Sequence, residues 1–253
     1  MASVGIDIGS TATKGVLWKG GCFECYLTPT GWTPGESAAK ALAQVRRRGR
    51  LPRGEELHVT ATGYGRNVFQ ADRRVTEITC HAAGAHYLAP QASTVLDIGG
   101  QDSKVITLSP NGKVTDFLMN DKCAAGTGRF LQNMAVQLGC SLADFGDIPE
   151  ETPFQLINSM CAVFAESEVI GLLAQGVAKE SIRLGLLDSV AQRAANLVSR
   201  ISDHGDICFT GGCAQNSLLG KLIEKKTGRH VIIPERAQYA GALGAALIGA
   251  GRA

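Results

Sequence analysis

Apolar and polar positions alternate in short bursts near the start of the chain, and the same rhythm returns after Pro90. A period of two over a few residues, bounded by Gly, Pro, Asn or Asp, predicts half-buried strands joined by tight turns. The first such set predicts strands over 3–8, 13–19 and 22–28, and the second over 94–98, 103–108 and 113–119, with Pro110-Asn111-Gly112 as a hairpin turn. Between them, Pro34 and Ser37 open a helix over 35–48 that Gly49 and Pro52 end. A strand at 58–62, closed by Gly63-Tyr64-Gly65, and a helix at 77–88 follow. Beyond the second meander, the loop Asn120–Gly128 feeds a helix at 127–138, and an acid- and proline-rich loop runs from Cys140 to Pro153. Helices at 160–174 and 178–203, a strand at 206–210, a helix to 226, a strand at 230–233 and a helix at 238–250 complete the pattern. A meander followed by helices, twice over, predicts an α/β protein of two similar lobes with mixed sheets. The expected division is 1–90 and 91–237, with the C-terminal helix 238–253 returning to the first lobe.

The two meanders share more than rhythm. Asp7-Ile8-Gly9-Ser10-Thr11-Ala12-Thr13-Lys14 is echoed by Asp97-Ile98-Gly99-Gly100-Gln101-Asp102-Ser103-Lys104. Each copy ends one strand and opens the next, so each is a hairpin tip carrying an acid, glycines, hydrogen-bonding side chains and a lysine. Glycine lets a backbone approach a ligand closely, and successive turn N–H groups form an anion nest. An Asp at the end of the first strand suits a hydrated divalent cation set between carboxylate and phosphate. Two such tips facing one another would grip a nucleotide's phosphates from both sides.

Composition narrows the possibilities. The 253 residues are 45% apolar and 19% charged, enough for a substantial core, and the net charge of +2 recommends no polyanionic partner. Arg46-Arg47-Arg48, with Arg50 and Arg53, reads as a solvated helix end, and 6% aromatic residues do not make a base-stacking platform for nucleic acid. The start, Met1–Asp7, lacks the basic and long apolar segments of a signal peptide. The apolar stretch Ala240–Ala250 is too short for a membrane span. The expectation is a cytoplasmic chain without membrane contact, whose eight cysteines form no disulfide framework.

No G-x-x-x-x-G-K-[ST] is present, and Gly126-Thr127-Gly128 lacks the third glycine and βαβ setting of a dinucleotide site. Thr210-Gly211-Gly212-Cys213-Ala214 is a glycine pair between strand and helix, where a flat group can lie against bare backbone. Together with the paired hairpins, it resembles the actin, Hsp70 and sugar-kinase ATPase superfamily over essentially the whole chain. Gly241-Ala242-Leu243-Gly244-Ala245-Ala246 fits that superfamily's second connecting helix. The resemblance implies ATP–Mg²⁺ between the lobes.

The cysteines divide by context. Cys22 and Cys25 form a C-x-x-C inside a predicted strand, where alternation points them apart and no second pair completes a site. Cys80, Cys140 and Cys208 read as small buried hydrophobes, and Cys213 as packing beside the glycine pair. Cys123 and Cys161 each sit near the N-terminus of a predicted helix, the latter behind an expected cap at Asn158-Ser159, where free N–H groups stabilise a thiolate or an anionic cluster. Four segments, Asp97–Lys104, Asn120–Phe130, Cys161–Glu168 and Phe209–Asn216, resemble the ATPase activators of 2-hydroxyacyl-CoA dehydratases and the related benzoyl-CoA reductase ATPase subunits.

That resemblance implies that Cys123 and Cys161 bind iron–sulfur, with one [4Fe–4S] cluster shared on the two-fold axis of a homodimer. It further implies an iron–sulfur dehydratase or reductase as partner, and ferredoxin or flavodoxin as reductant. In this reading Gly9, Ser10, Thr11, Thr13 and Lys14 hold one side of the phosphates, and Gly99, Gly100, Gln101, Asp102 and Lys104 the other. Asp7 and Asp97 back the metal, and Gln101 or Asp102 orients the attacking water. Gly126 and Gly128 add backbone contacts, and Gly211, Gly212, Ala214 and Gln215 pack on adenosine. The rival expectations are a small-molecule kinase of the same fold, with structural cysteines, and a non-catalytic nucleotide sensor.

Overall fold

The computed structural model describes residues 2–52, 54–159 and 161–252. Arg53 of the basic cluster, Met160 at the predicted helix start, and the terminal Met1 and Ala253 lie outside the described residues. Strands β1 (Ser3–Ile8), β2 (Ala12–Lys19) and β3 (Cys22–Pro29) form the first meander, followed by α1 (Pro34–Arg48), β4 (His58–Thr62), β5 (Arg73–Arg74) and α2 (Glu77–Leu88). Then β6 (Ala92–Ile98), β7 (Ser103–Leu108) and β8 (Val114–Asn120) repeat the meander. Helices α3 (Gly128–Leu138), α4 (Ala162–Ala174) and α5 (Lys179–Val198) precede β9 (Asp206–Thr210), α6 (Ser217–Thr227), β10 (Val231–Ile232) and α7 (Ala240–Gly249).

The sheet orders are β3-β2-β1-β4-β5 and β10-β9-β6-β7-β8. Read from opposite ends they are one topology, an antiparallel meander whose first strand also pairs in parallel with a later strand. Even the register repeats: Asp7 faces Lys14 across the first hairpin, and Asp97 faces Lys104 across the second. Directly opposed residues share a face of the sheet, so each tip presents its acid and lysine together.

Sequence patterning and packing agree closely. On β2, Leu17 joins β1 against Ala38, Ala41 and Val45 of α1, while Val16 and Trp18 turn to Ala242, Leu243 and Ala246 of α7. On β6, Val95 meets Ala82 and Ala85 of α2, whereas Leu96 and Ile98 enter the larger core with α3 and α5. Each sheet is therefore covered on both faces, α7 lying on the first sheet and α2 on the second. These two helices cross where Gly84 approaches Ala240 and Gly244 approaches Cys80 so closely that a Cβ on either glycine would strike a backbone carbonyl. Gly84→Ala gains about 1 kcal/mol of helix propensity, against an overpacking cost of about 3 kcal/mol. The expected result is a net loss of about 2 kcal/mol, seen as a lower urea midpoint; a stabilised variant would contradict it.

Four expectations change. β5 is an edge strand of two exposed arginines, with no apolar alternation to betray it. The basic helix end is less solvated than expected: Arg46 donates to the carbonyls of Pro52 and Glu55, and Arg48 to that of Cys25. Asn158 and Ser159 do not cap α4. Their N–H groups donate to the Glu168 carboxylate at 2.9 and 2.8 Å, and Cys161 itself is the N-cap, without a side-chain cap bond. Finally, the helix expected from the glycine pair to 226 is broken in two. A single turn at Gly212–Gln215 stops at Asn216, whose Oδ1 accepts from Leu219 N–H at 3.0 Å and starts α6 afresh.

Candidate active site

Both hairpin tips close in the same way: Gly9 N–H donates to Ala12 O at 3.2 Å, and Gly99 N–H to Asp102 O at 2.9 Å. The tips face each other, and a Cβ on Gly100 would collide with Thr11 Oγ1. Around this meeting lies a cleft of about 580 Å³ lined by both lobes. Asp7, Gly9, Ser10, Thr11 and Lys14 reach it from the first tip, and Asp97, Gly99, Gly100, Gln101, Asp102 and Lys104 from the second. Gly128, Gly211, Gly212 and Gln215 also line it.

Three expected ligand residues lie elsewhere. Thr13 alternates to the inner face of β2, where its hydroxyl meets Thr30 Oγ1 at 2.9 Å and Thr30 in turn donates to Gly9 O at 2.7 Å. It braces the first tip from behind. Gly126 uses its carbonyl to accept from Ser103 Oγ at 2.7 Å, and a Cβ there would face Arg193. Ala214 lines a neighbouring pocket of about 400 Å³, which shares Gln215 and Gln238 with the main cleft.

The floor of the cleft is a buried charge network. Lys14 Nζ is 3.2 Å from Asp7 Oδ2. Lys104, only 3% exposed at its side chain, contacts Asp102 at 2.7 Å, Asp97 at 3.4 Å and Glu77 at 3.8 Å. Asp97 Oδ1 also accepts from Thr210 Oγ1 at 3.0 Å. Burial works against the Lys104 charge, yet its three carboxylate neighbours raise its pKa above the ordinary value. Burial likewise opposes the Lys14 charge, and Asp7, with Asp97 further off, raises it. For Glu77 burial dominates and pushes its carboxyl up, with Lys104 opposing.

For Asp97, burial pulls the pKa up, but His81, Lys104, Lys14 and the Thr210 hydroxyl together hold it down to about 2. A depressed carboxyl pKa contributes stability that is present above its ordinary value of 3.8 and lost as pH falls through about 2. Asp97→Asn is therefore expected to cost about 3 kcal/mol near neutral pH, because Lys104 loses a buried counter-charge. Denaturant titrations across pH should show that difference shrinking through this window; a difference constant with pH would contradict the assignment.

Gly63, Glu77 and His81 carry no obvious mark in the sequence, although Gly63 has a counterpart in Gly211. Gly63 has φ 85°, and a Cβ there would come within 2.5 Å of Asp7 Oδ1; Gly211 has φ 88° and would approach Asp97 Oδ1 to 2.9 Å. Both need glycine for the same reason, and the repeated Thr-Gly pair, Thr62-Gly63 and Thr210-Gly211, is the signal that finds the first from the second. Glu77 and His81, one turn apart on α2, enter the cleft as well.

Cys123 is half-buried at the N-cap of a single turn, Ala124–Gly126, and Cys161 is exposed at the N-cap of α4. The loop after Cys123 is tied to the second tip: Gly128 and Arg129 N–H donate to Gly99 and Gly100 carbonyls at 2.9 and 2.8 Å. Cys80, Cys208 and Cys213 are buried, and burial pushes each thiol up to about 12, so they stay protonated. Cys140 is only partly buried, against the larger core, and not fully enclosed as expected. On β3, Cys22 opposes Lys19 and Cys25 opposes Val16, an odd separation that sends the thiols to opposite faces.

Two lobes of one topology with facing hairpin tips have the fold of the actin, Hsp70 and sugar-kinase type. A ROK family glucokinase from Streptomyces griseus, in complex with glucose and AMPPNP, superposes with a TM-score of 0.57 at 16% identity, covering 98% of this chain and 99% of that one; this is a likeness of fold alone. The particular family follows from a model match over residues 4–249: the chain belongs to the BadF/BadG/BcrA/BcrD ATPase family and is an ATP-hydrolysing enzyme. It is 46% identical over 251 residues to the uncharacterized protein YjiL of Escherichia coli K12, covering 98% of this chain and 96% of that one. Two solved structures are similar throughout. The activator of the 2-hydroxyisocaproyl-CoA dehydratase from Clostridium difficile, with bound ADPNP, has a TM-score of 0.91 at 40% identity over 98% of this chain and 94% of its own. Component A of the (R)-2-hydroxyglutaryl-CoA dehydratase from Acidaminococcus fermentans has a TM-score of 0.93 at 42% identity over 98% and 97%. Among the described residues no helix is long and apolar enough to cross a membrane.

Proposed function

We propose that this ATPase is an electron-transfer activator that acts as a homodimer on an iron–sulfur dehydratase or reductase of CoA thioesters. The observation that carries this reading is the pair of backbone hydrogen bonds from the second phosphate tip to the loop behind Cys123. Whatever moves Gly99 and Gly100 moves that loop too, and Ser103 Oγ holds the same loop at Gly126 O. The two similar activators of known structure supply the partner class.

The residues present suit the implied groups. Cys123 and Cys161 are reduced, accessible thiols at helix starts. Among the described residues no set of three or more Cys, His, Asp or Glu side chains gathers at metal-binding distances, so one chain does not complete a four-thiolate site. Two copies, each giving Cys123 and Cys161, would. Exposed apolar side chains close in sequence to each cysteine are consistent with a buried dimer face: Phe117 and Met119 on β8 before Cys123, Val163 and Phe164 on α4 after Cys161. Bound there, a [4Fe–4S] cluster would supply one low-potential electron to the partner, replenished by a ferredoxin- or flavodoxin-type reductant.

In the cleft, Ser10, Thr11 and the tip N–H groups bind the phosphates, and Asp7 and Asp97 hold the waters of Mg²⁺. Asp102 is engaged with Lys104 at 2.7 Å, so Gln101, exposed at the cleft, is the better placed to orient the attacking water. Adenosine lies along Gly211 and Gly212 toward the pocket at Ala214. Binding favours whichever lobe arrangement holds ATP better, and the second tip relays the change to Cys123. Anaerobic purification tests the reading: a brown dimer with about four iron and four sulfide per two chains is expected. A colourless protein that phosphorylates a small molecule would overturn it.

A further inference from the structure

One buried polar group beneath the tips is left without a task by the account above. His81 is 7% exposed and faces the cleft from α2. Its Nδ1 lies 3.3 Å from Asp97 Oδ1 yet is not aligned for a hydrogen bond, and among the described residues it has no other partner. The ring has little room to leave. On its far side α7 closes in, and a Cβ on Gly241 would stand 2.8 Å from His81 Nε2 and 3.3 Å from Asp7 Oδ2. The imidazole is thus confined between Asp97 and the backbone of α7 at Gly241.

The remaining hold on Asp97 is uneven. Thr210 donates to the same Oδ1, whereas Lys104 divides itself among Asp97, Asp102 and Glu77. A carboxylate behind a metal's water shell needs its plane fixed, and groups that donate to such carboxylates commonly do this. Hydrogen bonds of this kind are often long before the ligand binds and tighten once it does.

We propose that His81 is a positioning residue for Asp97, donating from Nδ1–H to Oδ1 and so orienting the carboxylate toward hydrated Mg²⁺ on the nucleotide. This rests on the reading of the cleft as a Mg²⁺–nucleotide site. It also gives the crossing of α2 and α7 a direct hold on the metal's acid, since the ring is fixed by both helices.

The test is calorimetric titration of ADP into the intact protein with and without Mg²⁺, which needs no catalytic turnover. Wild type is expected to bind ADP more tightly when Mg²⁺ is present. His81→Gln, whose amide nitrogen falls at the Nε2 end, should lose about tenfold of that gain while keeping its Mg²⁺-free affinity. His81→Asn places an amide nitrogen where Nδ1 stood and should restore most of the gain. Equal Mg²⁺ gains in His81→Asn and His81→Gln, whether both full or both lost, would overturn the role of His81 alone. No Mg²⁺ effect in wild type would overturn the nucleotide-site reading, and this inference with it.

Discussion

Replacing Cys161 or Cys123 by Ser is expected to leave a colourless protein that no longer activates its partner, while the Cys22→Ser, Cys25→Ser double variant keeps both colour and activity. A shared site drawing two thiolates from each chain loses two of its four ligands when either residue is changed. Five of the six other cysteines are poorly suited to substitute. Cys80, Cys208 and Cys213 are held protonated by burial, and Cys22 and Cys25 point to opposite faces of β3. Nucleotide binding should survive in the cysteine variants, because neither residue lines the cleft. Iron and sulfide assays on anaerobically purified protein check the loss. Full iron in Cys161→Ser would remove that residue from the assignment.

Gly100→Val should nearly abolish ATP hydrolysis without unfolding the chain. Added at Gly100, even a Cβ meets Thr11 Oγ1, so a branched side chain must push the two tips apart. A displacement of about 1 Å at groups that position a reacting phosphate costs on the order of a hundredfold in rate. Gly100 lies at a partly exposed turn rather than in a core, so the urea midpoint should change little. A variant with near-normal kcat/KM would show that the tips do not act together. The same substitution should also blunt any effect of nucleotide on the Cys123 loop, since Gly100 O accepts from Arg129 N–H.

What could be read from the chain alone was whatever a local repeat encodes. Asp7 and Asp97 announced themselves through matching neighbours, whereas their pairing with Lys14 and Lys104 in the same register emerged only from the sheets. Thr13 looked like Ser10 and Thr11 as a hydroxyl, but strand alternation turned it inward to Thr30. Glu77 and His81 gave no signal, since only the long-range crossing of α2 and α7 carries that helix face into the cleft. The expected cap at Asn158-Ser159 failed for a similar reason: Glu168, well along α4, holds both residues through their N–H groups, and Cys161 takes the N-cap position. β5 escaped notice because two edge arginines leave no apolar trace. Local chemistry was legible where it repeats; contacts made by distant segments were not.

The central claim is that one nucleotide is gripped by both tips at once. Hydrogen–deuterium exchange with and without ADP and Mg²⁺ measures this most directly, on peptides covering Asp7–Lys14 and Asp97–Lys104. The account predicts that both segments slow together, and that the loop from Cys123 to Arg129 slows with the second. Protection confined to one tip, or to neither, would contradict it.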